Sequence, residues 1–139
     1  MTKTKKINYF SIIKNIAIVL HIIPVIFLAS LPICIIFEEY FAILPILLMG
    51  SFVLIIAQIL FHLFKKEKQL KIIEAMIIAS ISWFLCSVIG AYFYYLIAKF
   101  IPENFSPETK IVFSDFFNCL FESFSGFTTT GFSMVEKPS

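Results

Sequence analysis

The residues best suited to chemistry lie near the end of the chain, where residues 121–133 read FESFSGFTTTGFS. Stacked backbone carbonyls and a threonine hydroxyl can replace the hydration shell of a potassium ion, provided that several carbonyls point the same way. A glycine relieves the steric penalty of the backbone angles that such a strand requires. The segment therefore predicts one strand of a K⁺ selectivity filter. The predicted ligands are the carbonyls of Thr128, Thr129, Thr130 and Gly131 and the hydroxyl of Thr128 or Thr129, with Phe132 and Ser133 at the outer end.

The threonine and glycine segment can be aligned with the potassium-channel filter sequence TVGYG, with Gly131 at the third position. Ser133 stands where that sequence has its final glycine, which puts the outermost ion site in doubt. An alternative interpretation is an amphipathic helix at the membrane surface followed by a loop rich in serine and threonine, because loops favour these residue types. The order of the elements favours a pore loop, which needs a spanning helix, an external linker, a short capped helix and then the strand.

The segment that leads into the strand, residues 114–126, is too short to span a bilayer at about 1.5 Å per residue. It predicts a re-entrant pore helix, with Ser114 or Asp115 as a cap at its start. Its carboxyl end would direct the negative end of the helix dipole towards a cation. Polar residues recur at helical spacing along one side of this helix, at Ser114, Asn118, Glu122 and Ser125.

Three residues of the predicted pore helix are expected to support the filter, namely Glu122, Ser125 and Gly126. The Glu122 carboxylate could hydrogen-bond the filter backbone or raise the local cation concentration, and the alternative is a carboxylate that faces external water. Irregular backbone at membrane depth is tolerated only when it is buried in protein or lines a water-filled cavity. A protein shell is therefore expected around residues 128–133.

The composition places the chain in a membrane. Hydrophobic residues make up 60% of the sequence and the mean hydropathy is +0.96, above the range of soluble domains. Nucleic-acid binding is not expected, because the formal charge is only +2 and the lysines cluster at the ends of apolar runs. The three cysteines, Cys34, Cys86 and Cys119, are widely spaced and predict core residues more than metal ligands or a disulfide.

Three stretches are long enough to cross a bilayer, at residues 16–37, 41–64 and 72–100. Each exceeds the roughly 20 apolar residues that a spanning helix needs. A cleaved signal peptide is the alternative for the first stretch, but it is too long and lacks a small-residue cleavage site. Pro24 and Pro32 are predicted to bend this helix or to break its outer end, because proline removes a backbone donor and clashes with the preceding turn.

Lysine placement predicts the orientation in the cell membrane. The loop between the first two spans carries Glu38 and Glu39, whereas lysines precede the first span and fill the loop before the third. Because positive charge favours the cytoplasmic side, the amino terminus is predicted to be cytoplasmic. Residues 101–113 then form a polar extracellular linker that delivers the chain to the filter from outside. The lysines in question are Lys3, Lys5, Lys6, Lys14, Lys65, Lys66, Lys68 and Lys71.

The third span and the filter segment carry a family resemblance. Glu74 and Ala75, Ser82 and Trp83, and Gly90, followed by residues 121–123 and 125–131, resemble the start of a TrkH/KtrB-type potassium uptake transporter. The resemblance implies an all-α integral membrane protein similar to four fused potassium-channel subunits. It makes residues 1–70 an amino-terminal transmembrane hairpin and residues 71–139 an incomplete first pore repeat. It also implies a cytoplasmic nucleotide-binding regulatory subunit as partner of a complete protein.

One filter strand cannot close a ring of carbonyls. The chain is therefore expected to be a fragment of a longer protein or to assemble with subunits that supply the remaining repeats. The expected function is K⁺ transport without covalent chemistry, so that neither enzymatic activity nor a cofactor is predicted. The alternative is a helical membrane protein that conducts nothing and acts through assembly with partners in the bilayer. Such a protein should tolerate Gly131→Ala, whereas a filter should not.

Other residues favour packing over transport. Small residues recur along one side of the third span and predict close approach of another helix. They are Ala75, Ala79, Ser82, Cys86 and Gly90. His62 is expected to lie at the membrane interface beside Lys65. His21 lies deeper but has no carboxylate partner on its own helix, so an ion-binding role is the less favoured alternative.

Overall fold

The computed structural model describes residues 7–64, 70–102 and 107–135, and within these ranges the regular structure is entirely helical. The helices are α1 Tyr9–Leu20, α2 Ile22–Ile36, α3 Ile43–Leu63, α4 Ile72–Ala98, α5 Pro107–Phe113 and α6 Phe116–Phe127, with a 3-10 turn at Tyr40–Ala42 before α3. As predicted, three helical segments are long and apolar enough to cross a membrane. They are Tyr9–Ile36, Tyr40–Leu63 and Ile72–Ala98.

The first apolar segment begins earlier than the sequence predicted, at Tyr9 instead of residue 16. Lys14, expected in front of the span, lies inside α1 with its side chain buried. Its ammonium group sits 5.2 Å from the centre of the Phe61 ring on α3, a cation–π distance. The prediction that Lys14 lies outside the span was therefore wrong, because this residue lies within the helix.

The same segment is interrupted at His21, which separates α1 from α2. Pro24 explains the position of the break, because it has no N–H to donate to the Leu20 carbonyl four residues earlier. Pro32 lies inside α2 without ending it. The imidazole Nδ1 of His21 donates to the Ala17 carbonyl at 2.7 Å, so this ring is held by its own helix.

The three long segments alternate in direction. At one end of the bundle, the tilted rings of Phe10 and Phe64 have centres 5.6 Å apart, and Asn8 N donates to Glu74 Oε1 at 2.8 Å. At the other end, the rings of Phe27 on α2 and Phe93 on α4 have their centres 4.9 Å apart. The first and third segments are thus parallel and the second is antiparallel to both, as consecutive membrane crossings require.

Helix α6 packs antiparallel on α4. Tyr92 and Phe116 have ring centres 4.9 Å apart near the start of α6, and Phe84 and Phe124 lie 5.7 Å apart near its end. Phe84 is the thirteenth residue of the 27-residue α4, so α6 ends beside the middle of that helix. The carboxyl end of α6 therefore lies halfway along a helix that is long enough to cross a bilayer.

One sequence expectation about this region needs correction. The predicted linker, residues 101–113, contains the helix α5, which begins at Pro107, a residue whose fixed φ suits a first helical position.

The helix that follows was predicted from about residue 114, with Ser114 or Asp115 as its cap. Helix α6 begins at Phe116, and Asp115 is its cap, since the Asp115 Oδ1 accepts a hydrogen bond from Phe117 N at 2.7 Å.

The orientation prediction depends largely on residues beyond those described. Lys3, Lys5, Lys6, Lys65, Lys66 and Lys68 lie outside the described ranges, as do residues 103–106 of the linker. The cytoplasmic position of the amino terminus therefore stays a prediction.

Candidate functional site

Helix α6 ends in a Schellman motif. Thr128 is the C-cap, Thr130 N donates to Ser125 O at 3.1 Å, and Thr129 N donates to Gly126 O at 3.2 Å. The residue after the cap usually has a left-handed backbone and is usually glycine. Here it is Thr129, with φ of 56°. A β-branched residue in this conformation is an outlier that costs about 1–2 kcal/mol.

The sign of φ alternates along the threonine segment. It is −88° at Thr128, positive at Thr129, and positive again at Gly131 with 72°, while Thr130 and Phe132 are not among the positive-φ residues. A row of carbonyls that point the same way needs unusual backbone angles, and glycine relieves the steric cost of such angles.

The threonine hydroxyls already donate their hydrogens within the site. Thr128 Oγ1 donates to Phe124 O at 2.7 Å and contacts Thr130 Oγ1, while Thr129 Oγ1 donates to Thr128 O at 2.7 Å. A hydroxyl has one hydrogen and two lone pairs. A cation at this segment would therefore meet only the lone pairs of these oxygens, which suits a ligand role.

Beyond Gly131 the chain turns back along α6 and is bonded to it. Ser125 Oγ donates to Phe132 O at 2.6 Å. Glu122 Oε1 accepts from Ser133 Oγ at 2.8 Å and also from Met134 N. The Glu122 carboxylate thus bonds the Ser133 side chain and the backbone of Met134, which is one residue beyond the predicted filter segment.

Two further members of the predicted polar stripe bond the chain that precedes α6. Asn118 Nδ2 on α6 donates to Val112 O of α5 at 3.2 Å. Ser114 itself precedes α6, and its Oγ donates to Lys110 O at 2.6 Å, one turn back in α5. Asn118, Glu122 and Ser125 thus hold the chain that enters α6 and the chain that leaves it.

The other side of the site is open. Every residue from 126 to 134 is exposed. A Cβ built on Gly126 or Gly131 would meet no heavy atom within 4 Å. Within the described residues, the hydrogen bonds of the threonine segment go to α6 and to the segment itself, so the predicted protein shell around its exposed side would have to come from elsewhere.

Sequence reasoning missed the contact that anchors α6 on α4. The buried Ser123 donates its hydroxyl to Ser87 O at 2.6 Å. Gly90 lies opposite, and a Cβ there would overlap the Ser123 hydroxyl. The stripe of small residues on α4 was the available signal, but it did not specify α6 as the partner.

A cavity of about 450 Å³ adjoins this contact between α2, α4 and α6. Its lining is mainly apolar and includes Phe27, Cys86, Gly90, Ser123, Gly126 and Phe127. Cys119 lies nearby on α6, fully buried, with Sγ 3.2 Å from Phe113 O. Burial, aided by the charge of Asp115, raises the pKa of the Cys119 thiol to about 11. This cysteine is therefore a neutral packing residue.

All nine predicted site residues fall within α6 and the six residues that follow it. Among the described residues, no group of three His, Cys, Asp or Glu side chains could hold a metal ion. Comparison of the chain with family models, curated proteins and solved structures found no match. The resemblance to TrkH/KtrB-type transporters thus stays a prediction, and the site has to be interpreted from its own geometry.

Proposed function

We propose that this chain supplies one strand of a K⁺ selectivity filter to a potassium transport protein of the cell membrane. The observation that carries the proposal is the alternating backbone of residues 128–131 at the carboxyl end of α6, with left-handed residues at Thr129 and Gly131. Carbonyls that point the same way can replace the hydration shell of a cation. The ligands would be the carbonyls of residues 128–131, together with a threonine hydroxyl oxygen.

The position of α6 supports a re-entrant pore helix. Its 12 residues extend about 18 Å, less than the roughly 30 Å of bilayer hydrocarbon. If α4 crosses the membrane, the end of α6 beside Phe84 lies near the bilayer midplane. The negative end of the α6 dipole then faces the place where a dehydrated cation needs stabilisation.

A single strand leaves most of the ion uncovered. The remaining filter strands would come from further repeats of a longer chain or from other subunits, which would also bury the exposed residues 126–134. By its resemblance, the complete protein would bind a cytoplasmic nucleotide-binding regulatory subunit. The proposed role involves no covalent chemistry, and K⁺ is the transported ion.

The second candidate is a membrane protein that conducts nothing and acts by assembly. The Schellman motif favours it, because many ordinary helices end this way. The two candidates differ at Gly131, whose φ of 72° penalises any side chain although the space around it is open.

Growth at limiting K⁺ tests the proposal. The reading frame that encodes this chain is expressed in a bacterium without its own K⁺ uptake systems, as wild type, Gly131→Ala and Gly50→Ala. Gly50 is a matched control because an added Cβ would meet only Phe27 atoms at 3.8 Å. We expect rescue by the wild type and by Gly50→Ala, and none by Gly131→Ala at equal amounts in the membrane. Rescue by none of the three would favour the second candidate, and equal rescue by all three would refute a filter that depends on Gly131.

A further inference from the structure

We infer that Glu122 and Ser125 are positioning residues that end the cation-lining stretch at Gly131, hold its outer end against α6 and thereby set the preference for K⁺ over Na⁺. The inference rests on the proposed filter function. It assigns a role to two α6 side chains that would not themselves touch the ion.

The hydrogen bond from Ser125 to Phe132 O marks the end of the stretch that would line the cation site. Phe132 O lies 2.6 Å from Ser125 Oγ, so this carbonyl points at α6. This carbonyl is engaged by a side chain of α6, whereas the hydrogen bond that Thr128 O accepts comes from its neighbour Thr129 within the segment. The alternation of φ also ends there, since Gly131 is the last described residue with positive φ. Both observations place the end of the lining between Gly131 and Phe132.

The Glu122 bonds hold the segment beyond that limit. One carboxylate oxygen accepts hydrogen bonds from Ser133 Oγ and from Met134 N. Bonds to an ionised acceptor are roughly twice as strong as neutral ones. Glu122 and Ser125 are three residues apart and lie on the same side of the helix. Together they fasten three consecutive residues to α6.

Selectivity depends on this attachment. K⁺ and Na⁺ are distinguished either by the size of the carbonyl cage or by the number of its dipoles, and both require carbonyls at fixed places. The inner end of the strand is fixed by the Schellman bonds of Thr129 and Thr130. The side chains of Glu122 and Ser125 are the described groups that fix the outer end.

Hydrogen exchange tests the attachment without any need for transport. The Met134 amide is followed by NMR in the chain reconstituted in lipid nanodiscs, as wild type, Glu122→Gln and Glu122→Ala. Loss of a charged acceptor should speed exchange about tenfold or more in Glu122→Ala. Glu122→Gln retains an acceptor oxygen and should stay closer to the wild type. Unchanged exchange in Glu122→Ala would overturn the inference even if the protein transports K⁺.

Ion preference tests the consequence in the complete protein. We expect Ser125→Ala and Glu122→Ala to lower the K⁺ to Na⁺ uptake ratio severalfold, and Glu122→Gln to preserve most of it. Ser123→Ala is the matched control, because it removes an equally short bond of a buried α6 serine that goes to α4 instead of the strand. Glu108→Ala controls for the loss of an exposed acid.

The outcomes separate the inference from the proposed function. If Glu122→Gln loses selectivity as fully as Glu122→Ala, the charge itself acts on the ion and the positioning role is wrong. If Ser123→Ala and Ser125→Ala behave alike, general packing of α6 explains both and the role assigned to Ser125 is wrong. Absence of K⁺ uptake in the wild type would refute the filter function, and the exchange result at Met134 would still show whether the attachment exists.

Discussion

One added methyl group should strain the contact between α4 and α6. A Cβ at Gly90 would overlap the Ser123 hydroxyl and approach the Ser123 Cβ to 3.4 Å and the Phe127 ring to 3.6 Å. Rotation of the Ser123 side chain would relieve the overlap but would break its bond to Ser87 O. Overpacking of this kind costs about 1–3 kcal/mol. Alanine regains up to about 1 kcal/mol as a better helix former, so Gly90→Ala should lower the free energy of unfolding by roughly 0–3 kcal/mol.

Comparison with Gly50→Ala removes the helix-propensity term. That substitution gains the same propensity on α3 and meets only ordinary contacts, so it should be neutral or stabilising by up to about 1 kcal/mol. Ser123→Ala alone should cost about 0.5–1.5 kcal/mol for the lost hydrogen bond. In the double variant Gly90→Ala with Ser123→Ala the overlapping oxygen is gone. The double variant should therefore be more stable than the sum of the single effects by about 1 kcal/mol or more.

Unfolding in mixed detergent and SDS micelles measures these differences. Trp83 is the only tryptophan of the chain and lies on α4, so its fluorescence reports on this helix. Additive effects of Gly90→Ala and Ser123→Ala, or equal effects of Gly90→Ala and Gly50→Ala, would refute the packing of α6 on α4. The proposed depth of the filter strand would then lose its basis.

Two further predictions concern α6. Thr129→Gly should raise the free energy of unfolding by about 0.5–1 kcal/mol in the same assay, because relief of left-handed strain outweighs the greater freedom of glycine in the unfolded chain; a loss of stability would contradict the C-terminal motif. Cys119 should react very slowly with maleimide at pH 8, where a pKa of about 11 leaves about one thiolate in a thousand, and its reaction should speed up as the pH approaches 11 or in SDS. In a variant with Cys34→Ala and Cys86→Ala, equally fast labelling with and without SDS would contradict the burial.

The long helices could be predicted because their signal is spread over more than 20 residues each. The second and third spans were predicted to within two residues of Tyr40–Leu63 and Ile72–Ala98. The start of the first span was missed because lysine was expected only outside a span. Lys14 lies inside the helix because it packs against Phe61, a contact between residues distant in sequence. Helix α5 was missed because proline in a short polar segment indicates a linker as readily as a helix start.

The site was predictable where it depends on periodicity. The polar stripe on α6 follows helical spacing, and two of its members, Glu122 and Ser125, do bond the segment after Gly131. The left-handed conformation of Thr129 was not predictable, because β-branched residues disfavour it and only the Schellman bonds show it. The Ser123 bond to Ser87 joins residues 36 positions apart, which no local pattern specifies.

Ion flux through the purified protein tests the filter function most directly. The product of the reading frame that encodes this chain is reconstituted in liposomes, and uptake of radioactive rubidium as a K⁺ substitute is measured against an excess of K⁺ or Na⁺. We predict uptake by the wild type and by Gly50→Ala that K⁺ suppresses far better than Na⁺, and loss of uptake in Gly131→Ala with its helical content retained. Uptake that survives Gly131→Ala unchanged, or a folded wild type that takes up no rubidium, would contradict a filter at residues 128–131.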